Sequence, residues 1–580
     1  MKNLIIYLGL SVVLLSSCSD SFSELEPYGG VNQNVLATEE GVNEILVGAY
    51  SMLDGISNDA DHGFVGGGSG TNWVFGDMVS DDAYKGDETG PWADLVLLET
   101  FDVNPANDWL RDAWQVHYDA VSRSNNVLEV LALVRENGKI SEENANQIEA
   151  EARFLRAWYH FQLRIKFRNI PYITEDVDPI TVSNDTEVWD LIEEDIQWGI
   201  DNNMDDSPAE VGRASRWAAK AFKARVHLFQ QEFNLAKPLL DDIINNGPFM
   251  LMPEFEQNFH EMHQNNAESI FEIQYSVNDG GDPTNSGQDH QTLFPNGLGL
   301  GFDYCPPSFS LFNAFKVDAD GLPMHDTYLD NLLVEDMGVT FDQAFTPTDH
   351  MLDPRVDWTI GRRGIPFLDW GPWTGSNMKR FSDQMGPFSH KKLMFYESNR
   401  SEIAPNPSGH WSPGVNATNF SLLRLSHVIL WRAEVAVEEN DLALARDLVN
   451  QIRARAADDI VMGRINNSTF ENGYVLDIDM TQPAANYNLG MYPSFPDQEY
   501  GRKAVRFEMR LEFAMEGMRF FDLVRWGIAE QTIDAFVEAE RNIRTYNNST
   551  DFVSPKHNYW PIPAMQIDLQ FGVLQQDPNY

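Results

Sequence analysis

A chain of 580 residues with 43% hydrophobic side chains can bury about three quarters of the surface its unfolded form exposes, so a large packed core is available. The formal net charge of −47, from 41 basic and 88 acidic side chains, repels nucleic acid and anionic lipid surfaces at long range and argues against nucleic acid as a partner. Of two cysteines, Cys18 directly follows an apolar leader and, once lipidated, leaves Cys305 without an intramolecular partner, which excludes a disulfide framework and a cysteine-ligated zinc site.

The leader starts with Lys2, is almost wholly apolar from Leu4 to Leu15, and sets Ser16 and Ser17 before Cys18. This is the layout of a bacterial export signal with lipid attachment at the cysteine. About 12 apolar residues are too few to span a hydrocarbon core that needs roughly 20. Residues 1–17 are therefore expected to be a signal peptide and Cys18 the lipidated first residue of the mature chain, tethered to a membrane by lipid alone. Residues 18–38, polar and carrying Pro27, Gly29 and Gly30, read as a spacer. Residues 39–580 read as one domain.

Within that domain the first distinctive stretch is 69–86, where Trp73, Asp82 and Lys85 sit among small and polar residues, followed by Trp92 after a Gly-Pro pair. Beyond Trp92 helices dominate. Apolar residues recur at three- and four-residue steps over 107–134, 141–167, 186–200, 214–245, 422–456 and 502–526, the period of a helix with one buried face. Phe154, Trp158, Phe161 and Ile165 fall on one such face, and Pro171 stops that helix.

Two of these runs repeat each other at an offset of 209: Ala236 aligns with Ala445, Leu239 with Leu448, Leu240 with Val449 and Ile243 with Ile452. Two helix-turn-helix units with small residues at the crossings are expected, a tetratricopeptide-like pattern. The predicted fold class is thus mainly α, built on helical repeats and interrupted by a long loop-rich insertion at about 279–419. There Gly, Pro, Asn and Asp are dense but aromatics stay frequent, which argues for ordered, functional backbone. The insertion holds Tyr304, then Trp370 and Trp373 on either side of a Gly-Pro pair. Seven basic residues from Arg355 to Lys392, Arg362 and Arg363 among them, face only three acids. That balance suits an anionic ligand, or equally the neutralisation of acids elsewhere in the fold.

Several segments resemble the SusD/RagB family of surface glycan-binding lipoproteins. They are EARFLRAWYHF at 151–161 with NIPYI at 169–173, RAE at 432–434, NQIRARA at 450–456, RLEFAMEGMRFFDLVRWG at 510–527, YWPIP at 559–563 and the terminal DPNY. The resemblance implies a non-catalytic receptor that captures oligosaccharide or polysaccharide and passes it to a TonB-dependent, SusC-like transporter at the outer membrane, on the outer face of the cell and without a cofactor. Its binding aromatics lie in loops at places comparable to Trp73, Trp92, Tyr304, Trp370 and Trp373.

The charged run from Arg506 to Arg525 reads as structure, since Glu516, Arg519, Asp522 and Arg525 follow one another at three-residue steps that pair opposite charges along a helix. Enzymatic signatures are missing from the sequence: no GxSxG elbow and no GxxxxGK[ST] loop occurs. HEMH at 260–263 is one residue short of a zincin spacing, and the calcium-loop frame around Gly321 would need Lys316 and Thr327 as ligands. No catalytic or metal residue is assigned. What remains is aromatic side chains on irregular backbone. A Trp or Tyr ring stacks on the apolar face of a sugar while polar groups take its hydroxyls, so Trp73, Asp82, Lys85, Trp92, Tyr304, Arg362, Trp370 and Trp373 form the candidate ligand set. A glycoside hydrolase with two carboxylates and a protein-binding repeat scaffold are the alternative readings.

Overall fold

A computed structural model describes residues 36–55, 68–86, 92–277, 293–405 and 415–580, apart from 203, 381, 466–469, 472, 473, 476 and 477. Cys18, the leader and most of the spacer lie outside the described residues. The longer helices are α1 (Glu39–Tyr50), α2 (Asp108–Glu136), α3 (Glu142–Phe167), α4 (Trp189–Asp201), α5 (Arg216–Phe229), α6 (Phe233–Asn246), α7 (Leu425–Glu438), α8 (Leu442–Ala457), α9 (Gln498–Phe513), α10 (Arg519–Arg525), α11 (Ala529–Glu540) and α12 (Ala564–Leu569). None of the described helices is long and apolar enough to cross a membrane.

Polar caps set the helix starts: the side chains of Ser141, Ser215 and Asp497 accept from the backbone N–H three residues on, satisfying donors that have no partner inside the helix. α3 is the central element, with every side chain from Phe154 to Phe167 buried. Arg156 on its inner side donates to both oxygens of Asp195 at 2.6 and 2.7 Å, tying α3 to α4. Phe154, Trp158 and Phe161 meet Phe222 of α5 with ring centroids 5.6, 4.9 and 5.3 Å apart.

The expected helix-turn-helix units are α5 with α6 and α7 with α8. They pack through α6 and α7, where Arg432 donates to Asp241 at 2.6 Å. The mainly helical prediction holds. Strands are short and few among the described residues; β1 (Ser269–Ile273) and β2 (Phe420–Arg424) pair antiparallel, with Ser269 opposite Arg424, and lead the chain into α7.

The run expected as one helix over 502–526 is instead α9 and α10, broken at residues 514–518. Ala514 turns extended, and Met515 and Gly517 take positive φ of 64° and 76°. Long-range contacts stabilise the break. Lys392 Nζ donates to the carbonyls of Glu512 and Ala514, each at 2.9 Å, and Asp77 accepts the Gly517 N–H on both oxygens at 3.0 and 3.1 Å. The three-residue charge ladder is accordingly only partly formed: Asp522 accepts from Arg525 at 2.7 Å, whereas Arg519 pairs with Asp81 at 2.8 Å and Glu516 with Lys392 and Arg424.

A buried ion network crosses the insertion and the C-terminal helices. Glu512 bonds Arg424 at 2.7 Å, Arg355 at 3.1 Å and also Arg455, while Glu508 bonds Arg355 at 2.7 Å and Arg453 at 2.8 Å. Burial alone would raise the Glu512 carboxyl, but Arg455, Arg424 and Arg355 outweigh it and hold the group well below the usual range.

Candidate functional site

Residues 69–86 do not form a surface loop. Trp73–Met78 is a wide helical turn with every side chain buried. It passes directly against the α9–α10 break. A Cβ built on Gly76 would lie 1.9 Å from the Gly517 carbonyl oxygen, and one on Gly517 1.8 Å from that of Thr71, so two glycines are required where the backbones cross. The next residues are fixed by charge: Arg510 donates to Asp82 at 2.8 Å and pairs with Asp81 at 2.9 Å. The chain then bridges residues 306–308, where Tyr84 N–H donates to the Pro306 carbonyl at 3.1 Å and Ser308 N–H to that of Asp82 at 2.8 Å. That pairing sets Lys85 beside Tyr304.

Four rings gather there. Trp92 lies against Tyr304, centroids 4.7 Å apart at 41°, and meets Trp109 of α2 edge-on at 5.7 Å; Trp109 in turn meets Trp73 at 6.1 Å. The Lys85 ammonium sits 5.7 Å from the Tyr304 ring, in cation–π range. Trp73, Trp109, Tyr304 and Lys85 are buried, while Trp92, with positive φ of 61°, is half-buried and beside exposed Ala93. Of the predicted residues in this region, Trp92 therefore faces solvent. Trp73, Lys85 and Tyr304 lie beneath it, and Asp82 holds the segment to α9 and cannot contact a ligand. In the sequence Trp109 is hidden inside the apolar stripe of α2, and nothing local marks it as part of this cluster.

The second predicted cluster needs correction. Trp373, expected on an exposed turn, is fully buried and packs on Phe367 at 5.1 Å within a small separate core that includes Phe294, Leu300 and Phe395. A hairpin folds it inward: Trp373 N–H donates to the Ile365 carbonyl at 2.9 Å and Phe367 N–H to that of Gly371 at 2.7 Å. Trp370 remains half-buried on the rim, donating its indole N–H to the Phe395 carbonyl at 2.8 Å. Arg362 is also fully buried, bonded to both oxygens of Asp357 at 2.7 and 2.9 Å. Arg355, Arg363, Lys379, Lys391 and Lys392 are buried with it, and Arg380 alone of the seven is half-exposed. The basic excess neutralises acids inside the fold and presents no cationic surface.

A cleft of about 850 Å³ that the sequence did not suggest opens between α2, residues 171–180 and α12, lined by Trp114, Tyr118, Ile173, Ile180, Gln566 and Leu569. Phe571, just past Leu569, is 87% exposed.

The helical fold is shared with solved structures. A SusD superfamily protein from Bacteroides vulgatus aligns over 94% of this chain and 100% of its own at a TM-score of 0.69 and 20% identity. A surface glycan-binding protein A from Bacteroides thetaiotaomicron, in complex with laminarihexaose, aligns over the same shares at 0.61 and 20%. In sequence, a SusD-like protein P25 of Formosa agariphila is 24% identical over 99% of this chain and 98% of its own, and a SusD-like protein of Bacteroides ovatus is 26% identical over 47% of this chain and half of its own length. The profile of the SusD family matches residues 267–580, more than half the chain, and a profile described as "Starch-binding associating with outer membrane" matches 24–228. The chain belongs to the SusD family.

Proposed function

We propose that this protein captures oligosaccharide at the cell surface without reacting with it, and passes it to a TonB-dependent transporter while lipid on Cys18 holds it at the outer membrane. The observation that carries this reading is Trp92: a half-exposed indole seated on buried Tyr304 and Trp109 offers a fixed flat surface. A fixed ring loses little conformational freedom when a sugar face stacks on it, and the apolar contact contributes a few kcal/mol at most. Affinity is expected to be modest, which suits a protein that must release what it captures.

The family membership and the laminarihexaose complex of a structural neighbour support a glycan as ligand. Against hydrolysis, Glu99 and Glu540, which burial raises to about 7, are committed to protein donors: Tyr546 donates to Glu99 at 2.7 Å, and Tyr84 donates to Glu540. Neither reaches a surface-bound substrate. The test is titration calorimetry of the full-length lipoprotein in detergent against a glycan panel that begins with laminarihexaose. Saturable binding that Trp92→Ala weakens at least about tenfold, with no new reducing ends, is expected. Binding indifferent to Trp92, or release of reducing sugar, would overturn the reading.

A further inference from the structure

Glu193 of α4, His227 in the last turn of α5 and Glu232 at the start of α6 bring one imidazole nitrogen and two carboxylate oxygens within 4.8 Å of one another. His227 is only 3% exposed, and its Nδ1 lies 2.8 Å from Glu232 Oε2 and 3.6 Å from Glu193 Oε1. In any protonation state Nδ1 carries at most one hydrogen, so it can donate to only one of the two carboxylates it faces. Gln230 Nε2 fixes Glu193 by donating to Oε1 at 2.6 Å, while Lys223, one turn earlier on α5, gives its ammonium to Gln197 at 2.7 Å.

The internal repeat supplies an independent comparison. At the 209-residue offset Glu232 corresponds to Asp441 and His227 to Ala436. Asp441 caps α8, accepting from Leu444 N–H at 3.2 Å. Glu232 holds the same N-cap position on α6 but makes no side-chain cap; its carboxylate turns back onto His227 instead. The first unit thus forgoes a stabilising helix cap and gains a convergent donor set.

We propose that Glu193, His227 and Glu232 bind a divalent transition-metal ion, best matched to Zn²⁺, with water completing the coordination. An imidazole with two carboxylates suits zinc, whereas calcium and magnesium prefer all-oxygen shells of higher number. Bonds of about 2.0–2.2 Å in a tetrahedron put donor atoms about 3.3–3.6 Å apart. That spacing falls between the 2.8 and 3.6 Å separations of Nδ1 from the two carboxylates, so small side-chain adjustments admit the ion. Bound there, it pins α4, α5 and α6 together at one end of the first repeat unit.

The test uses full-length lipoprotein in detergent, stripped with chelator and titrated with Zn²⁺ by calorimetry and with Co²⁺ by visible absorbance. One saturable equivalent is expected, with the intense d–d bands of low-coordinate cobalt and a melting temperature that rises with Zn²⁺ and returns with EDTA. His227→Gln should remove the equivalent and the bands. Glu193→Gln, at a partly exposed helix position, should weaken binding at least about tenfold without moving the metal-free melting temperature, and it decides the matter if His227→Gln does not fold. Weak multi-site binding alone, or an equivalent that survives Glu193→Gln unchanged, would overturn the site.

Discussion

Gly76 and Gly517 meet backbone to backbone, so close that a methyl group on either would overlap a carbonyl oxygen of the opposing segment. Gly517→Ala should destabilise by about 2–4 kcal/mol, because it combines that overlap with the strain of a side chain at positive φ. Urea unfolding with the wild-type slope retained measures it. A change below half a kcal/mol would mean that the two segments separate freely.

Trp92→Ala and Trp373→Ala should behave oppositely. The first removes a half-exposed ring and should impair glycan retention in affinity gels while the melting temperature stays within a few degrees. The second empties part of a closed core and should destabilise by about 3–5 kcal/mol. Equal melting temperatures for the two variants would contradict the burial described.

Glu512→Gln leaves Arg355, Arg424 and Arg455 short of a counter-charge in a buried setting and should destabilise by about 3–5 kcal/mol. Because the Glu512 carboxyl is depressed in the fold, its contribution is present above about pH 4.3, the ordinary glutamate value, and is lost as pH falls below it. Wild-type stability should therefore drop steeply on acidification below that point, and the variant should show a shallower drop.

Raised carboxyls act in the other direction. Burial lifts Glu99, Glu540 and Asp336 to about 7, so the folded state holds protons that the unfolded chain has released. Their contribution is full below the ordinary carboxyl range and is lost as pH rises through 7. Thermal melts should show higher stability at pH 5.5 than at pH 8, and Glu540→Gln should narrow the difference. A flat profile between those values would mean that these groups titrate normally.

If lipid on Cys18 holds the protein at the membrane, as proposed, Cys18→Ala should release it from the membrane fraction. Fractionation of cells lacking the transporter separates loss of the anchor from retention by a partner.

The helices were legible because their cause is local. The stripe from Phe154 to Ile165 and the repeat pairing Leu240 with Val449 depend on spacing alone, and both segments form the helices expected. The break at residues 514–518 was not legible: Ala514, Met515 and Glu516 favour a helix, and the groups that stop it, Lys392 and Asp77, are more than a hundred and more than four hundred residues away. The same limit governed the ligand set. Trp373 and Arg362 sit in a stretch rich in Gly and Pro, which ordinarily means surface. Phe294 and Phe395 converge on Trp373, and Glu335 on Arg362, only in three dimensions.

With Arg355, Arg362, Arg363, Lys379, Lys391 and Lys392 all turned inward, the exterior is depleted of positive charge, and the chain behaves in suspension as a polyanionic colloid. If copies stand side by side on one cell surface, as proposed, they push apart at distances of about a Debye length, roughly 8 Å at physiological salt, which keeps their Trp92 faces clear of one another. The same field slows the approach of acidic polysaccharides and leaves the arrival of neutral ones to diffusion, so ionic strength should alter which polymers reach the surface before any contact with Trp92 is made.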